Sequence, residues 1–268
     1  MANIKSIVKV MNFQALLHVD SAHRAADKYL LLEKDVSRMI DIIENNQNLI
    51  LDKKVIDVNS SPNAPRLRIY IGSDLGFCGI INASVNRQLE KENGNNDLVI
   101  IGKKIHTNQT PIIEMARDEF DNKFSEITTI FENAINNKTY SGIDIFYNHY
   151  HNMSHIEPIM KTIFPIEIEK DIGEKKDIGL YTDDFFIEGG NPEKLLRELT
   201  VTYLNFEMQT AIISSYASEN ILRQQATNES LKHIDEMETE KKWQEHKERE
   251  ATSVSRIIDS YTKLRYRG

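Results

Sequence analysis

Pro192-Glu-Lys-Leu-Leu-Arg-Glu-Leu-Thr-Val-Thr-Tyr-Leu-Asn-Phe-Glu-Met208 opens a run that continues to Arg267 without a glycine or a second proline. Apolar residues recur at helical spacing through Leu195, Leu199, Leu204, Met208, Ala211, Ile212 and Leu222, with Ser215 on the same seam. The seam thins to Leu231, Ile234, Met237 and Trp243 around a strongly charged run at residues 236–250. It then returns as Val254, Ile257, Ile258, Tyr261 and Leu264. At 1.5 Å per residue one helix of this extent would be about 110 Å long, more than a globular domain is wide. A helix this long and this polar is not held by propensity alone, so it needs a partner.

The opposite end of the chain supplies one. Residues 4–51 contain no Gly or Pro, and Ile4, Ile7, Val8, Met11, Ala15, Leu16, Val19, Ala22, Ala26, Leu30, Val36, Ile40 and Ile43 recur at helical spacing. Asn45 to Asn48 are expected to fray this helix, and Ser60-Ser-Pro-Asn-Ala-Pro65 ends it. Almost all of the 11 glycines and 6 prolines lie between Pro62 and Pro192, so the breakers mark off a different kind of structure in the middle.

In that middle, Leu67, Ile69 and Ile71 alternate with Arg66, Arg68 and Tyr70, a strand pattern that runs into Gly72-Ser-Asp-Leu-Gly-Phe-Cys-Gly79. A helix is expected over residues 82–92. Asp97-Leu-Val-Ile-Ile101 before Gly102 reads as a buried strand. Residues 111–136 read as a helix with Pro111 in its first turn, residues 143–148 as a third strand, and residues 156–187 as further strands and turns. The alternation of strand and helix predicts a small, largely parallel, Rossmann-like α/β domain. The fold class expected is therefore α/β: a long antiparallel two-helix coiled coil from both termini with that domain between them. The domains expected are 1–60, 61–191 and 192–268. Because the second helix is much the longer, its last part would overhang and need an enclosing protein.

Composition narrows the function. The chain has 268 residues, 28% of them charged and 40% hydrophobic, which places it among folded chains and excludes a disordered one. A net charge of −8 argues against a nucleic-acid partner. The single cysteine, Cys78, excludes an intramolecular disulfide and a multi-cysteine zinc site and fits a reducing cytoplasm. No apolar run is long enough to cross a bilayer, so membrane association is expected only through partners.

No credible catalytic site is legible. Neither G-x-x-x-x-G-K-[ST] nor G-x-G-x-x-G occurs, so Gly72, Gly76 and Gly79 are read as tight turning after a strand. Cys78 is read as a small buried thiol. His149, His151 and His155, with Glu157 nearby, have spacing that permits metal ligation, but no Cys or H-E-x-x-H accompanies them and a polar strand edge is expected. Asp183-Asp184 is read as a turn. No catalytic residue, cofactor or metal is assigned to this chain.

Three segments, in order, resemble the γ subunit of F-type ATP synthases. Ser73-Asp-Leu-Gly-Phe-Cys-Gly79 with Asn82 is similar to that family's S-D-x-G-L-C-G-x-x-N. Ile145-Phe-Tyr-Asn148, Asn152-Met153, Pro158 and Phe164-Pro165 are similar to its Y-N-x-F-x-N-x-M and later L-P. Ser215-Tyr-Ala-Ser-Glu219 with Arg223 resembles its A-S-E-x-x-x-R, and the same register places Arg249-Glu-Ala-Thr252 on R-Q-A-[ST].

The resemblance implies a central rotor shaft inside a hexamer of α-like and β-like subunits, with ATP, ADP and Mg on those partners. It also implies an ε-like or other protein at the base, and a cytoplasmic complex peripheral to the membrane. It implies partner contacts at Arg249, Glu250 and Thr252, and a tip at Ile257, Ile258, Tyr261 and Leu264.

There are departures. Phe13-Gln-Ala-Leu-Leu-His-Val-Asp-Ser-Ala22 stands where the family has a Lys-rich K-I-T-K-A-M-K-M-V-A-A, Glu250 stands for the usual Gln, and the ending 261–268 is unlike the family's. With a composition rich in Asn, Ile and Lys, they lead to the expectation of a specialised F1-like ATPase, such as one linked to gliding in wall-less bacteria. A free-standing adaptor with a coiled-coil arm and an α/β head is the alternative. A small α/β enzyme is a third reading, which would require activity dependent on Cys78 or His151.

Overall fold

The computed structural model describes residues 2–45, 56–61, 63–92, 96–152, 154–166 and 191–265. The chain divides into two compact units: Met1–Leu16 with Arg223–Gly268, and Leu17–Leu222. Two helices contribute to both, α1 (Ala2–Asn45) and α4 (Pro192–Arg265). The expected continuation of α1 to residue 51 lies outside the described residues, as do the strands and turns expected over 167–187 and the turn at Asp183-Asp184.

Among the described residues the larger unit holds a five-stranded sheet in the order β3-β2-β1-β4-β5. The strands are β1 (Leu67–Ile71), β2 (Asp97–Ile101), β3 (Ile113–Met115), β4 (Ile143–Asn152) and β5 (His155–Phe164). The first four run parallel; β5 returns antiparallel to β4, with Ile143 opposite Phe164 and His149 opposite Glu157. Pro158 sits in β5, where the missing N–H is tolerated because β5 is an edge strand among the described residues.

The sheet is covered on both faces. On one, Leu67, Ile69, Ile71, Val99, Ile101 and Ile145 meet Val36, Ile40 and Ile43 of α1 and Leu204, Met208 and Ala211 of α4. Phe120, Ile127 and Phe131 of α3 (Phe120–Asn137) complete that layer. On the other face Tyr70, Leu98, Ile100 and Phe146 pack with Val85 and Leu89 of α2 (Gly79–Glu90). The alternation read in β1 therefore does not mark a solvated face. Tyr70 is fully buried with its hydroxyl bonded to Glu92, and Arg68 pairs with the same carboxylate. Where polar groups satisfy one another in this way, a two-sided strand can look amphipathic.

One expected helix starts nine residues late. Residues 111–119 do not open α3. Ile113–Met115 pairs with Val99–Ile101, Ile112 N–H donates to Leu98 O at 2.8 Å and Gly102 N–H to Met115 O at 2.9 Å. A 3₁₀ turn, Arg117–Glu119, then leads into the helix. The open ladder of β2 takes up this segment's backbone groups, and tertiary hydrogen bonding overrides a proline that local rules place in a first helical turn.

Within each unit α1 and α4 pack antiparallel. In the larger one His18 faces Tyr216 and Tyr29 faces Phe206. In the smaller one Asn12 Nδ2 donates to Gln224 O at 3.1 Å, Thr227 Oγ1 at 2.9 Å and Asn228 Oδ1 at 2.9 Å, while Lys5 pairs with Asp235 and Glu238. The contact stripe differs from the expected seam. Ile4, Ile7 and Leu30 are exposed, whereas Ala15, Val19, Ala22, Ile40 and Ile43 are buried. Lys5 and Asn12 make the contact near the N-terminus, so the apolar residues flanking them are turned outward.

Candidate functional site: the clamp on α4 and its exposed extension

The Ser73–Gly79 segment is a clamp between the sheet and α4. Ser73 N–H donates to Asn82 Oδ1 at 3.0 Å, and Asn82 Nδ2 returns a bond to Ser73 Oγ at 2.7 Å. Asp74 is buried and accepts from the backbone N–H groups of Lys103 at 2.8 Å and Asp118 at 3.4 Å, tying three loops together. Leu75 N–H donates to Glu219 Oε1 at 3.0 Å, and the Cys78 thiol donates to Glu219 O at 3.4 Å. Glu219 also accepts from Arg117, whose guanidinium lies 4.1 Å over the Tyr216 ring. Burial pushes the Glu219 carboxyl up, against the opposing pull of Arg117 and the Leu75 N–H.

These bonds explain why Ser, Asp, Cys and Asn stand at those spacings and why a Ser-Glu pair stands on the helix. Each is a donor or acceptor in a buried junction that would otherwise be unsatisfied. The tight turn falls on Gly76 and Phe77, as the glycine cluster predicts, but its left-handed residue is not a glycine. Gly76 and Gly79 have open space where a Cβ would lie, and Phe77 takes the left-handed conformation, φ 71°. Gly72 is different, because a Cβ there would lie 2.6 Å from Ile105 Cγ1.

Further along α4, small hydroxyls bind β4. Ser218 Oγ donates to Asn148 O at 3.0 Å, and Ser214 Oγ accepts from Tyr150 N–H at 2.8 Å. Nearby, Glu207 is buried and accepts from Lys161 Nζ at 2.6 and 2.8 Å and from Tyr203 Oη at 2.9 Å. Glu33 of α1 shares this environment. Burial, then the charge of Glu207, pushes its carboxyl up to about 7. Neither Arg117 nor this carboxylate pair carries a periodic signal, so both are invisible in the sequence.

The extension of α4 is the opposite kind of surface. From residue 239 to residue 260 every residue is exposed. Arg249 reaches Glu245 at 4.0 Å, Glu250 lies 3.6 Å from His246, and Thr252 Oγ1 donates to Glu248 O at 2.8 Å, all along the same helix. Ile257 and Ile258 are 55% and 58% exposed. Tyr261 and Leu264 lie in α4, and their side chains are outside the described residues. Trp243 and Val254, and on α1 Ile4, Ile7, Val10 and Phe13, are exposed in the same unit. Among the described residues no helix is long and apolar enough to cross a membrane.

Comparison with known proteins agrees over nearly the whole length. The family model described as ATP synthase matches residues 1–259. The ATP synthase gamma chain of Wolbachia pipientis subsp. Culex pipiens is 24% identical over 260 residues, covering 88% of this chain and 86% of that one. The gamma chain of Malacoplasma penetrans is 24% identical over 275 residues, covering 96% and 93%, and that of Mycoplasma mobile is 25% identical over 250 residues, covering 88% and 85%. Among solved structures, a chain of the central stalk and c-ring of Tetrahymena thermophila mitochondrial ATP synthase superposes with a TM-score of 0.51. It is 16% identical and covers 84% of this chain and 99% of that one, a likeness of fold. By the family match over residues 1–259, the chain belongs to the ATP synthase gamma-chain family.

Proposed function

We propose that this chain is the central rotor shaft of an F1-type ATPase, a non-catalytic subunit that couples nucleotide turnover on surrounding subunits to rotation. The observation that carries the reading is the smaller unit's surface. Ile4, Ile7, Val10 and Phe13 on α1 and Trp243, Val254, Ile257 and Ile258 on α4 are all exposed large apolar side chains. A soluble protein does not keep so many in water without a partner to cover them. Enclosing each contributes on the order of 1 kcal/mol. A hexamer of α-like and β-like subunits, holding ATP, ADP and Mg on themselves, is the enclosure that family membership supports. Arg249, Glu250 and Thr252 would meet a loop of a catalytic subunit, and Ile257, Ile258, Tyr261 and Leu264 would form the tip. The three domains, 1–60, 61–191 and 192–268, are then shaft, base and shaft. An ε-like or other protein would dock on the base, and the complex would sit in the cytoplasm, on the membrane only through its partners.

Coupling of this kind is differential binding: each catalytic subunit's conformational equilibrium is biased by the face of the shaft it meets. Co-expression with α-like and β-like P-loop subunits tests it. A complex containing one copy of this chain, whose ATPase rate changes when the chain is omitted, is expected; a chain that stays unassembled refutes the shaft. A narrower reading, that the motor hydrolyses ATP for work other than synthesis, is favoured by Phe13-Gln-Ala-Leu-Leu-His-Val-Asp-Ser-Ala22 and by Glu250 in place of the family's residues. A proton-channel ring on the purified native complex would overturn that reading and leave the shaft standing.

A further inference from the structure

We propose that the turn end of the β4–β5 hairpin is a transition-metal site, in which His151, His155 and Glu157 hold one Zn²⁺-like ion. Alternation along a strand puts His149 and His151 on one face of β4 and His155 and Glu157 on one face of β5. Pairing brings the two sets together, since His149 lies opposite Glu157 and Asn152 opposite His155. A register shift between Tyr150 and Asn152 leaves His151 out of the paired ladder, beside the carboxylate of the other strand.

His151 Nε2 is 3.4 Å and His155 Nε2 is 3.9 Å from the same oxygen, Glu157 Oε2, and the three candidate ligand atoms lie within 4.8 Å of one another. A tetrahedral ion at about 2.0–2.1 Å from each donor needs neighbouring ligands roughly 3.4 Å apart. No pair of donors must therefore close by more than about 1.4 Å, and side chains 41%, 60% and 53% exposed are free to turn that far. Packing does not account for the grouping, because none of the three is buried. His149 is held differently: its Nδ1 is 3.3 Å from Tyr147 Oη and 3.4 Å from Ser214 Oγ. Its ring meets that of His151 edge-on at 4.4 Å, so it steadies the first ligand.

Two imidazoles and one carboxylate suit Zn²⁺, Ni²⁺ or Cu²⁺, whereas Mg²⁺ prefers oxygen donors throughout. Water would complete the coordination. The bound ion would tie the ends of β4 and β5 where their ladder is irregular. The site belongs to the α/β part of the chain and does not depend on the shaft reading.

Calorimetric titration of the full-length chain with Zn²⁺ alone, and separately with Mg²⁺ alone, tests it. One Zn²⁺ per chain and no comparable Mg²⁺ binding are expected. His151→Gln, His155→Gln and Glu157→Gln should each weaken Zn²⁺ binding by at least roughly tenfold, the low end of what losing a mere supporting group costs. His233→Gln, on the charged part of α4, should leave it unchanged. Far-UV circular dichroism shows that the surface variants still fold. No Zn²⁺ binding, undiminished binding in the His151→Gln/His155→Gln double variant, Mg²⁺ binding of similar strength, or loss of binding with His233→Gln would each overturn the site.

Discussion

The inner and outer stretches of α4 obey different rules although they belong to one helix. Between Leu196 and Ile221 the helix contributes Leu204, Met208, Ala211 and Ala217 to the interior, and even Glu219 and Asn220 are buried. From residue 239 to residue 260 nothing is buried, and the side-chain contacts are those between neighbouring turns. The first stretch is stabilised by its own chain. The second has short-range ion pairs and other contacts along its own helix, worth a few tenths of a kcal/mol each, too little to serve as a reason for its existence. Helical continuity without burial points outward, to a surface that is completed by something else.

Cutting the outer stretch should produce the largest effect and the cleanest separation. Truncation after Arg256 removes Ile257 and Ile258, both already exposed. The isolated chain should keep its stability within about 0.5 kcal/mol, while assembly with the hexamer, or coupling within it, is lost. Urea unfolding and size-exclusion chromatography of the co-expressed complex read the two sides, and unchanged assembly and ATPase activity would sink the tip assignment.

Striking the inner stretch should do the reverse. Glu219→Ala leaves the half-buried Arg117 without its main carboxylate and the Leu75 N–H without its acceptor, and should cost about 3 kcal/mol in thermal or urea unfolding. A loss below about 1 kcal/mol would mean the clamp is ornamental. Gly72→Ala is a smaller blow to the same junction: Ile105 must move away from the new methyl, at a cost of about 1–2 kcal/mol.

The smallest effect concerns pH. Glu33 titrates at about 7 in the folded chain, well above an ordinary carboxyl, because burial and the neighbouring Glu207 charge favour its neutral form. Its contribution to stability is thus fully present below the unfolded value and fades as pH rises through about 7. Glu33→Gln should match the parent at pH 5 and be more stable at pH 8. Solvent reaching Glu33 limits the gain to about 1 kcal/mol or less. A parent whose unfolding midpoint is flat from pH 5 to pH 8 would refute the shared carboxylate environment.

Legibility followed periodicity. Both terminal helices, β1, β2 and β4 are announced by apolar spacing, because burying one face imposes a period on the sequence. Residues 111–119 misled because a helix-compatible proline segment was claimed by the open edge of β2, a pairing invisible to any local window. Ile4 and Ile7 misled in another way: helical spacing shows that a stripe exists but does not say whether the stripe faces a partner helix or the outside. The Ser73–Gly79 block could be recognised as a signature, yet its meaning was hidden, since Glu219 and Arg117 are brought to it from distant positions.

The sequence alone determined the long breaker-free helices, the α/β interlude and the family, for these rest on composition, spacing and motif order. Tertiary structure decided which side chains are joined. It placed the carboxylate of Glu219 against the loop at Leu75, and it left the outer part of α4 uncovered. It also set His151 beside Glu157 through a slip in one strand ladder. Local physics acts over a few residues and leaves a pattern in the order of amino acids. Burial and pairing act across the chain, and only the folded coordinates show where they fall.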